Sequence, residues 1–216
     1  MVIFSDGFES GDFSAWTGNY DGCTVIHSPV HHGSHALQST GDSQQTAYQT
    51  GIAAASTYTR LYFRMDTLPT DGNYLKIAMM YGAVSGEVGV AVYNDGGTMK
   101  WGLMKPSGSV YVAAAISATV WYCLEFRRTA GTGANGIATL WVNGSQIATS
   151  TTEAYTDNSD LLMVGIDWTS SAVTTFVDCV VVADAYIGPE STYSPKTRSS
   201  LPNTMVTMLN SKMLYS

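Results

Sequence analysis

Charged residues are scarce in this sequence, and the basic ones do not cluster. Only 12% of the 216 residues are charged, with 10 Lys and Arg against 17 Asp and Glu, for a formal net charge of -7. Proteins that bind nucleic acid neutralise phosphates with grouped Lys and Arg, so the composition predicts no nucleic-acid partner. No apolar run reaches the roughly 18 residues that indicate a membrane-spanning helix, which predicts no membrane insertion.

Cysteines are few, and a secretory leader is missing. The three cysteines, Cys23, Cys123 and Cys179, are an odd number without the C-x-x-C spacing of many metal sites. Cys123 and Cys179 lie in apolar runs, which favours buried free thiols; the alternative is one disulfide with a leftover thiol. The N-terminus lacks the basic and apolar regions of a signal peptide. We nevertheless expect a protein of the extracellular space or a particle surface, present as a mature fragment or released by lysis.

The residues that are abundant suit short strands joined by tight turns: Gly, Ser, Thr, Asn and 13 Tyr. A period of two recurs along the chain and is clear at residues 58–65, where Thr59, Leu61, Phe63 and Met65 would share one face. No stretch up to residue 190 shows a helical period. The sequence therefore predicts an all-β domain over residues 1–190.

Two hairpins can be placed from turn residues. Asn143-Gly144 separates two alternating runs within residues 137–148, and this dipeptide supplies the two positive φ angles of a type I′ turn. Residues 94–97, Asn-Asp-Gly-Gly, give a second hairpin signal between residues 88–93 and 98–104.

The two ends of this domain carry matching features. Residues 4–16 and 176–187 are strand-like runs, and we expect them to pair and close a single β-sandwich. Both carry carboxylates, which are the hard oxygen ligands that Ca²⁺ takes. These acids are Glu9, Asp12, Asp178 and Asp184.

The composition changes after residue 190. Residues 191–202 are rich in Ser, Thr and Pro and predict an extended linker. Met205, Met208, Leu209 and Met213 then follow a short amphipathic pattern. The segment 201–216 is either a tail packed on the sandwich or a peptide that docks on another structural protein, because Met-rich surfaces adapt to varied grooves.

The order of these motifs, with the segment 29–37 (Pro-Val-His-His-Gly-Ser-His-Ala-Leu), resembles the concanavalin A-like, laminin-G-like jelly rolls. The ends are similar to those of Ca²⁺-bearing carbohydrate-binding modules. The resemblance implies two antiparallel sheets, one of them curved, with a glycan on the concave face.

The same resemblance implies a structural Ca²⁺ ion held by Glu9, in the "FE" of the first strand, and by Asp178 in the last. Such modules often have a second acid after the one in the last strand. Cys179 stands there in this chain, so Asp12 or Asp6 would have to compensate. Alternatively, Glu9 and Asp12 accept hydrogen bonds from backbone amides at a tight Ser-Gly turn.

Signs of an active site are sparse. Glycosidases need two carboxylates about 5 to 10 Å apart, and the E-x-D-x-E strand of the glucanases with this fold is absent. The strand motifs of alginate-lyase-like enzymes are also absent, since residues 60–64 carry Tyr62 where R-x-E-x-R has an acid. Four histidines suggest a transition-metal site, although a turn at residues 31–33 explains two of them more simply. They are His27, His31, His32 and His35.

One strand face is the best candidate for ligand contact. Sugars stack on aromatic rings beside polar groups, and two Arg among aromatics would be unusual inside a core. The predicted contacts are Tyr58, Arg60, Tyr62, Arg64 and Trp141.

These observations predict a non-catalytic, lectin-like carbohydrate-binding module, with a glycan or polysaccharide as its partner. The alternative is a structural or decoration protein of a virion or surface filament that docks through residues 201–216. A polysaccharide lyase or glycoside hydrolase comes third. The inference from fold to function is by analogy.

Overall fold

A computed structural model describes residues 1–20, 22–84 and 86–190 of the chain. These residues form strands, turns and loops without a helix, so none of them belongs to a helix that could cross a membrane. In chain order the strands are β1 (Val2–Asp6), β2 (Gly18–Asn19), β3 (Thr24–Ile26), β4 (Ala36–Gly41), β5 (Gln45–Gln49), β6 (Ser56–Met65), β7 (Tyr74–Gly82), β8 (Glu87–Asp95), β9 (Thr98–Met104), β10 (Val110–Ala113), β11 (Tyr122–Thr129), β12 (Gly136–Val142), β13 (Ser145–Glu153), β14 (Ser159–Thr169) and β15 (Val173–Ala183). The predicted linker and tail, residues 191–216, lie outside the described residues.

The strands form two stacked antiparallel sheets. The eight-stranded sheet has the order β13-β12-β11-β6-β15-β4-β3, with β1 also paired to β15. The seven-stranded sheet has the order β10-β9-β8-β7-β14-β5-β2. The prediction of an all-β, jelly-roll-like sandwich is confirmed.

The core lies between the sheets and follows the period-two pattern. On β6, Thr59, Leu61 and Phe63 are fully buried, and Phe63 meets Trp101 of β9 edge to face at 6.5 Å between ring centroids. Burial of each large apolar side chain contributes about 1.5–3 kcal/mol, so the alternating strands can only pack with this face inward.

The two ends of the domain pair, as the sequence predicted. Phe4 of β1 lies opposite Val182 of β15, and Asp6 lies opposite Val180. The ring of Trp16 packs on Phe4 at 4.8 Å, and its indole N–H donates to Asp6 Oδ2 at 2.6 Å. Backbone pairing therefore joins the first and last strands, and the Trp16 ring covers the end of that pairing.

Both predicted hairpins are present. Asn143 and Gly144 have φ angles of 50° and 81° between β12 and β13, as a type I′ turn requires. Asn143 Oδ1 also accepts the backbone N–H of Cys123 at 2.9 Å. Between β8 and β9, Gly96 and Gly97 have φ angles of 60° and 80°.

Strand β15 contains a bulge near its middle. The register against β6 shifts between Asp178 and Val181, and Cys179 adopts a φ of 52°. A non-glycine residue in this region costs of order 1–3 kcal/mol, so the surrounding contacts must hold it there. Cys179 is half-buried, Cys23 and Cys123 are buried, and the three form no disulfide with one another.

A charged residue lies inside the sandwich where the strand pattern alone would place an apolar one. Arg128 of β11 is fully buried, with its guanidinium 4.4 Å from the centroid of the Tyr155 ring. Its Nη2 donates to Asp157 Oδ1 at 3.0 Å, and its Nε donates to the carbonyl of Gly86 at 3.1 Å. These contacts satisfy a cation that would otherwise be costly to bury.

We predict that Arg128→Ala lowers the free energy of unfolding by about 3–5 kcal/mol, because it removes one partner of a buried ion pair. Urea unfolding followed by tryptophan fluorescence measures the change. The matched control is Arg127→Ala on the same strand, which is half-buried and should cost less than about 1 kcal/mol. Equal losses in the two variants would contradict a special role for Arg128.

Candidate functional site

The five predicted ligand contacts lie on the outer face of the eight-stranded sheet. That face is not the open groove that the sequence suggested, because Arg60 and Tyr62 are each only 7% exposed. Two chain segments contact these residues, namely residues 31–35 and residues 184–190. Of the predicted set, Tyr58, Arg64 and Trp141 are half-buried.

Arg60 and Tyr62 are occupied by contacts within the protein. Arg60 Nη2 donates to Glu190 Oε1 at 3.0 Å, and Tyr62 Oη accepts the backbone N–H of Glu190 at 2.8 Å. The His31 ring stacks on Tyr62 with 3.5 Å between centroids. Burial raises the pKa of Tyr62 to about 12, so this hydroxyl stays protonated. Arg60 and Tyr62 therefore hold the two segments that cover them, through Glu190 and His31.

The rest of the predicted set divides into two places. Tyr58 and Trp141 lie together, with Tyr186 5.2 Å from Trp141 between ring centroids, and they form a small aromatic patch. Arg64 instead pairs with Asp66, with 2.8 Å between nitrogen and oxygen. The structure therefore groups Tyr58 with Trp141 and Arg60 with Tyr62, while Arg64 stands apart.

Glu125 of β11 binds the backbone of residues 184–190, which we call the covering segment. Its two carboxylate oxygens accept the backbone N–H groups of Ile187 and Gly188, both at 2.8 Å. Burial raises the pKa of Glu125, and the two amide hydrogen bonds oppose that rise. A carboxylate on a strand of the sheet thus fixes the segment that closes the face.

The predicted metal ligands Glu9 and Asp178 also hold backbone amides. Asp178 Oδ2 accepts the N–H groups of His31 and His32 at 2.8 and 3.0 Å, and Oδ1 accepts that of Cys179 at 2.6 Å. Glu9 accepts the N–H of Ser34 at 3.0 Å. The two acids therefore hold opposite ends of one loop, residues 31–35.

Asp12 is separate from that pair. Its Oδ1 accepts the N–H of Ser14 at 2.9 Å, as expected for an acid at a tight turn. In the part of the chain that the structure describes, Glu9, Asp12 and Asp178 do not bring their oxygens together around one point. Because amide donors already use these carboxylates, we assign them no metal chemistry, and Ca²⁺ stays a prediction.

The outer face of the seven-stranded sheet carries a line of aromatic rings, of which Trp168 is 43% exposed and the others are half-buried. Trp168 of β14 stacks on Tyr74 of β7 at 4.3 Å between centroids, and Tyr93 of β8 packs on Tyr111 of β10 at 5.0 Å. Tyr74 and Tyr93 are opposite each other in the β7-β8 ladder. We call these four residues the aromatic strip. It crosses four strand spacings, or about 19 Å.

Small residues of β8 and β9 lie beneath the aromatic strip. Gly102 of β9 lies opposite Ala91 of β8 and Tyr111 of β10. A Cβ atom on Gly102 would come within 2.6 Å of the Tyr111 ring, so only glycine lets this ring lie down on the sheet.

A polar cluster lies beside the strip. Tyr81 Oη donates to Asp167 Oδ2 at 3.0 Å, and Gln44 Nε2 donates to Asp167 Oδ1 at 3.2 Å. Lys76 Nζ donates to Glu87 Oε1 at 3.1 Å. Burial and the neighbouring Asp167 raise the pKa of Tyr81, and burial raises the pKa of Asp167. We call these five residues the polar cluster.

Sequence reasoning missed both features, although each aromatic residue was visible. The strip takes one residue from each of four strands, and the polar cluster takes residues from β7, β8, β14 and the turn before β5. A strand order and two irregular registers are needed to bring them together. The available signal was that Tyr74 and Tyr93 each fall on the polar side of an alternating strand.

The fold is similar to several solved structures, while no protein-family model and no curated protein sequence matches the chain. An endo-β-1,4-glucuronan lyase from Trichoderma reesei has a TM-score of 0.63 at 14% identity, with 86% of this chain and 96% of the lyase covered. The cellulose-induced protein Cip1 has a TM-score of 0.64 at 16% identity, with coverages of 86% and 99%. A PL-14 alginate lyase from Aplysia kurodai has a TM-score of 0.65 at 8% identity, with coverages of 86% and 100%. At such identities the likeness shows the fold alone.

We predict that Asp178→Asn lowers the free energy of unfolding by about 2–3 kcal/mol, because the amide can replace only one of the two accepting oxygens and leaves buried N–H donors unpaired. Chemical denaturation gives the value. Asp12→Asn, at an exposed turn, is the control and should change stability little.

The same measurement on the metal-free chain, with and without added Ca²⁺, tests the Ca²⁺ prediction. If Asp178 serves only to bind amides, added Ca²⁺ leaves the wild-type midpoint where it is. A gain in midpoint with Ca²⁺ in the wild type that is absent in Asp178→Asn would make Asp178 a Ca²⁺ ligand.

Proposed function

We propose that this chain is a non-catalytic carbohydrate-binding protein whose glycan lies along the aromatic strip of the seven-stranded sheet. The observation that carries the proposal is the row of four rings from Trp168 to Tyr111, with the 43%-exposed Trp168 at one end. A glycan strand presents alternating apolar C–H faces and hydroxyl edges, so a flat aromatic row with polar groups beside it suits such a ligand.

The polar cluster would supply the directional contacts. Lys76 and Gln44 are donors, Glu87 and Asp167 are acceptors, and Tyr81 can serve as either. Lys76 offsets the charge of Glu87, and the remaining carboxylate of Asp167 offers no attraction to an acidic sugar, so the affinity would rest on stacking and hydrogen bonds. This arrangement favours orientation of a chain of hydroxyl groups over electrostatic capture.

The fold comparisons support a polysaccharide ligand without identifying it. Two of the similar structures are described as lyases of glucuronan and alginate, and two further structures of the alginate lyase Aly36B contain alginate oligosaccharides. Those descriptions concern those proteins.

The contacts among the residues of the polar cluster favour binding over catalysis. Tyr81 already donates to Asp167, and its raised pKa opposes ionisation. A general base should have a pKa near the working pH, which Tyr81 does not approach. Lys76 is held by Glu87.

A polysaccharide lyase is the second candidate, because a tyrosine and a lysine stand beside the strip. In such a β-elimination, a base removes the proton next to the uronate carboxylate. The bond to the neighbouring sugar's oxygen breaks, and that oxygen takes a proton, which leaves one unsaturated end. Tyr81 and Lys76 are the groups that could move these protons.

The structural alternative and the location both stay predictions. A role as a decoration protein of a virion or surface filament rests on residues 201–216, which lie outside the described residues. Action at a cell or particle surface rests on the resemblance to carbohydrate-binding modules.

We predict that Trp168→Ala weakens polysaccharide binding at least about tenfold, equivalent to ~1.4 kcal/mol, because it removes the most exposed ring of the strip. Affinity electrophoresis against a panel of neutral and uronate polysaccharides measures the change.

The matched control is Tyr186→Ala in the segment 184–190, which covers the other sheet, since Tyr186 is 46% exposed and also belongs to an aromatic group. Both variants should keep the wild-type melting temperature. Loss of binding in Tyr186→Ala but not in Trp168→Ala would move the ligand to the patch of Tyr58 and Trp141.

We also predict that the wild-type chain releases no unsaturated ends from any polysaccharide it binds, as followed by ultraviolet absorbance of the product. If the wild type releases unsaturated ends, and Tyr81→Phe still binds the polysaccharide but releases none, the protein is a lyase and the non-catalytic proposal is wrong. Tyr48→Phe serves as a control, because Tyr48 lies on β5 of the same sheet.

A further inference from the structure

Three side chains from distant parts of the chain converge on the eight-stranded side of the molecule. One ligand-type atom from each of His31, Cys179 and Glu190 lies within 4.8 Å of the others. The distance between His31 Nδ1 and Cys179 Sγ is 3.9 Å. None of the three belongs to the aromatic strip or the polar cluster.

The imidazole and the thiol are each positioned by contacts of their own. The His31 ring is held flat against Tyr62 and edge-on to Trp121, at 3.5 and 5.7 Å between centroids. Cys179 stands in the bulge of β15 with a φ of 52°, a strained backbone of the kind that is kept at functional positions.

The carboxylate is positioned as well. The backbone N–H of Glu190 donates to Tyr62 Oη at 2.8 Å, and Arg60 donates to Glu190 Oε1 at 3.0 Å. A carboxylate that accepts a hydrogen bond on one oxygen can still bind a metal with the other. The three groups therefore meet because the sheet, the loop 31–35 and the segment 184–190 each fix one of them.

We propose that His31, Cys179 and Glu190 form a binding site for Zn²⁺. Bonds of about 2.3 Å to sulfur and 2.0 Å to nitrogen at a tetrahedral angle put these atoms about 3.5 Å apart. The observed 3.9 Å between Nδ1 and Sγ is close to this value, and the wider separations in the group, which reach up to 4.8 Å, would have to shorten on binding. One thiolate, one imidazole and one carboxylate suit Zn²⁺, whereas Ca²⁺ takes six to eight oxygens.

Three protein ligands leave a fourth position for water. A surface depression of about 350 Å³ adjoins the group, and Arg60, Cys179 and Glu190 are among its lining residues. On binding, the metal replaces the proton of the Cys179 thiol, which is released to solvent. The ion would tie the loop at His31 to β15 and to the end of the covering segment.

The test uses the full chain, reduced and stripped of metal, and titrated with Co²⁺ as a spectroscopic probe. Tetrahedral Co²⁺ on a thiolate gives intense visible bands and a near-ultraviolet sulfur-to-metal band. We expect both to saturate at one Co²⁺ per chain, to vanish on addition of Zn²⁺ and to persist in excess Ca²⁺. A folded, reduced wild type without these bands would overturn the proposal.

Variants locate the ion. Cys179→Ala should abolish the sulfur-to-metal band, while Cys123→Ala, which removes a buried thiol from β11 of the same sheet, should keep it. Glu190→Gln changes a side chain that is 36% exposed and should weaken Co²⁺ binding at least about tenfold.

Retention of the band in Cys179→Ala would place the metal elsewhere. If Cys179→Ala does not fold, the Glu190 variant decides, and an unchanged affinity there would overturn the site. Glycan binding through the strip is independent of these outcomes, because the strip lies on the other sheet.

Discussion

The buried carboxylate of Asp178 is the interaction on which the eight-stranded side of the molecule depends. It accepts amide hydrogen bonds from both the loop at His31 and the bulge at Cys179. With the loop fixed, the imidazole can stack on Tyr62. Tyr62 and Arg60 in turn hold Glu190. The buried carboxylate of Asp178 thus links the distant loop at His31 to the bulge at Cys179 and, through Tyr62, to the segment that ends at Glu190. Its hydrogen bonds offset the cost of desolvation.

Within residues 1–20, 22–84 and 86–190, the two outer faces differ in how chain segments cover them. On the eight-stranded sheet, Glu125 and Asp178 are strand carboxylates that bind the amides of loops, and the loops then cover the face. On the seven-stranded sheet, the acids Glu87 and Asp167 bind side chains of the same sheet. Among the described residues, these contacts join side chains and bring no loop backbone over the face, and Trp168 stays 43% exposed there.

The sandwich could be predicted because its signals are local. The alternation at Thr59, Leu61 and Phe63, the turn at Asn143-Gly144 and the matching ends each occupy a short stretch of sequence. Local sequence does not determine which outer face is covered by loops. Arg60 and Arg64 look alike on an alternating strand, yet one is buried under Glu190 and the other pairs with Asp66 at the surface. That difference is decided by segments more than a hundred residues away.

Irregular pairing explains why the candidate sites escape a period-two reading. In a regular strand, adjacent residues point to opposite faces, so Asp167 and Trp168 could not both serve the seven-stranded face. The register of β14 shifts between Val164 and Trp168, and both side chains reach that face. A similar shift in β15 accompanies the unusual backbone of Cys179. Both proposed sites therefore depend on strand irregularities, which bring together groups that regular alternation would keep apart.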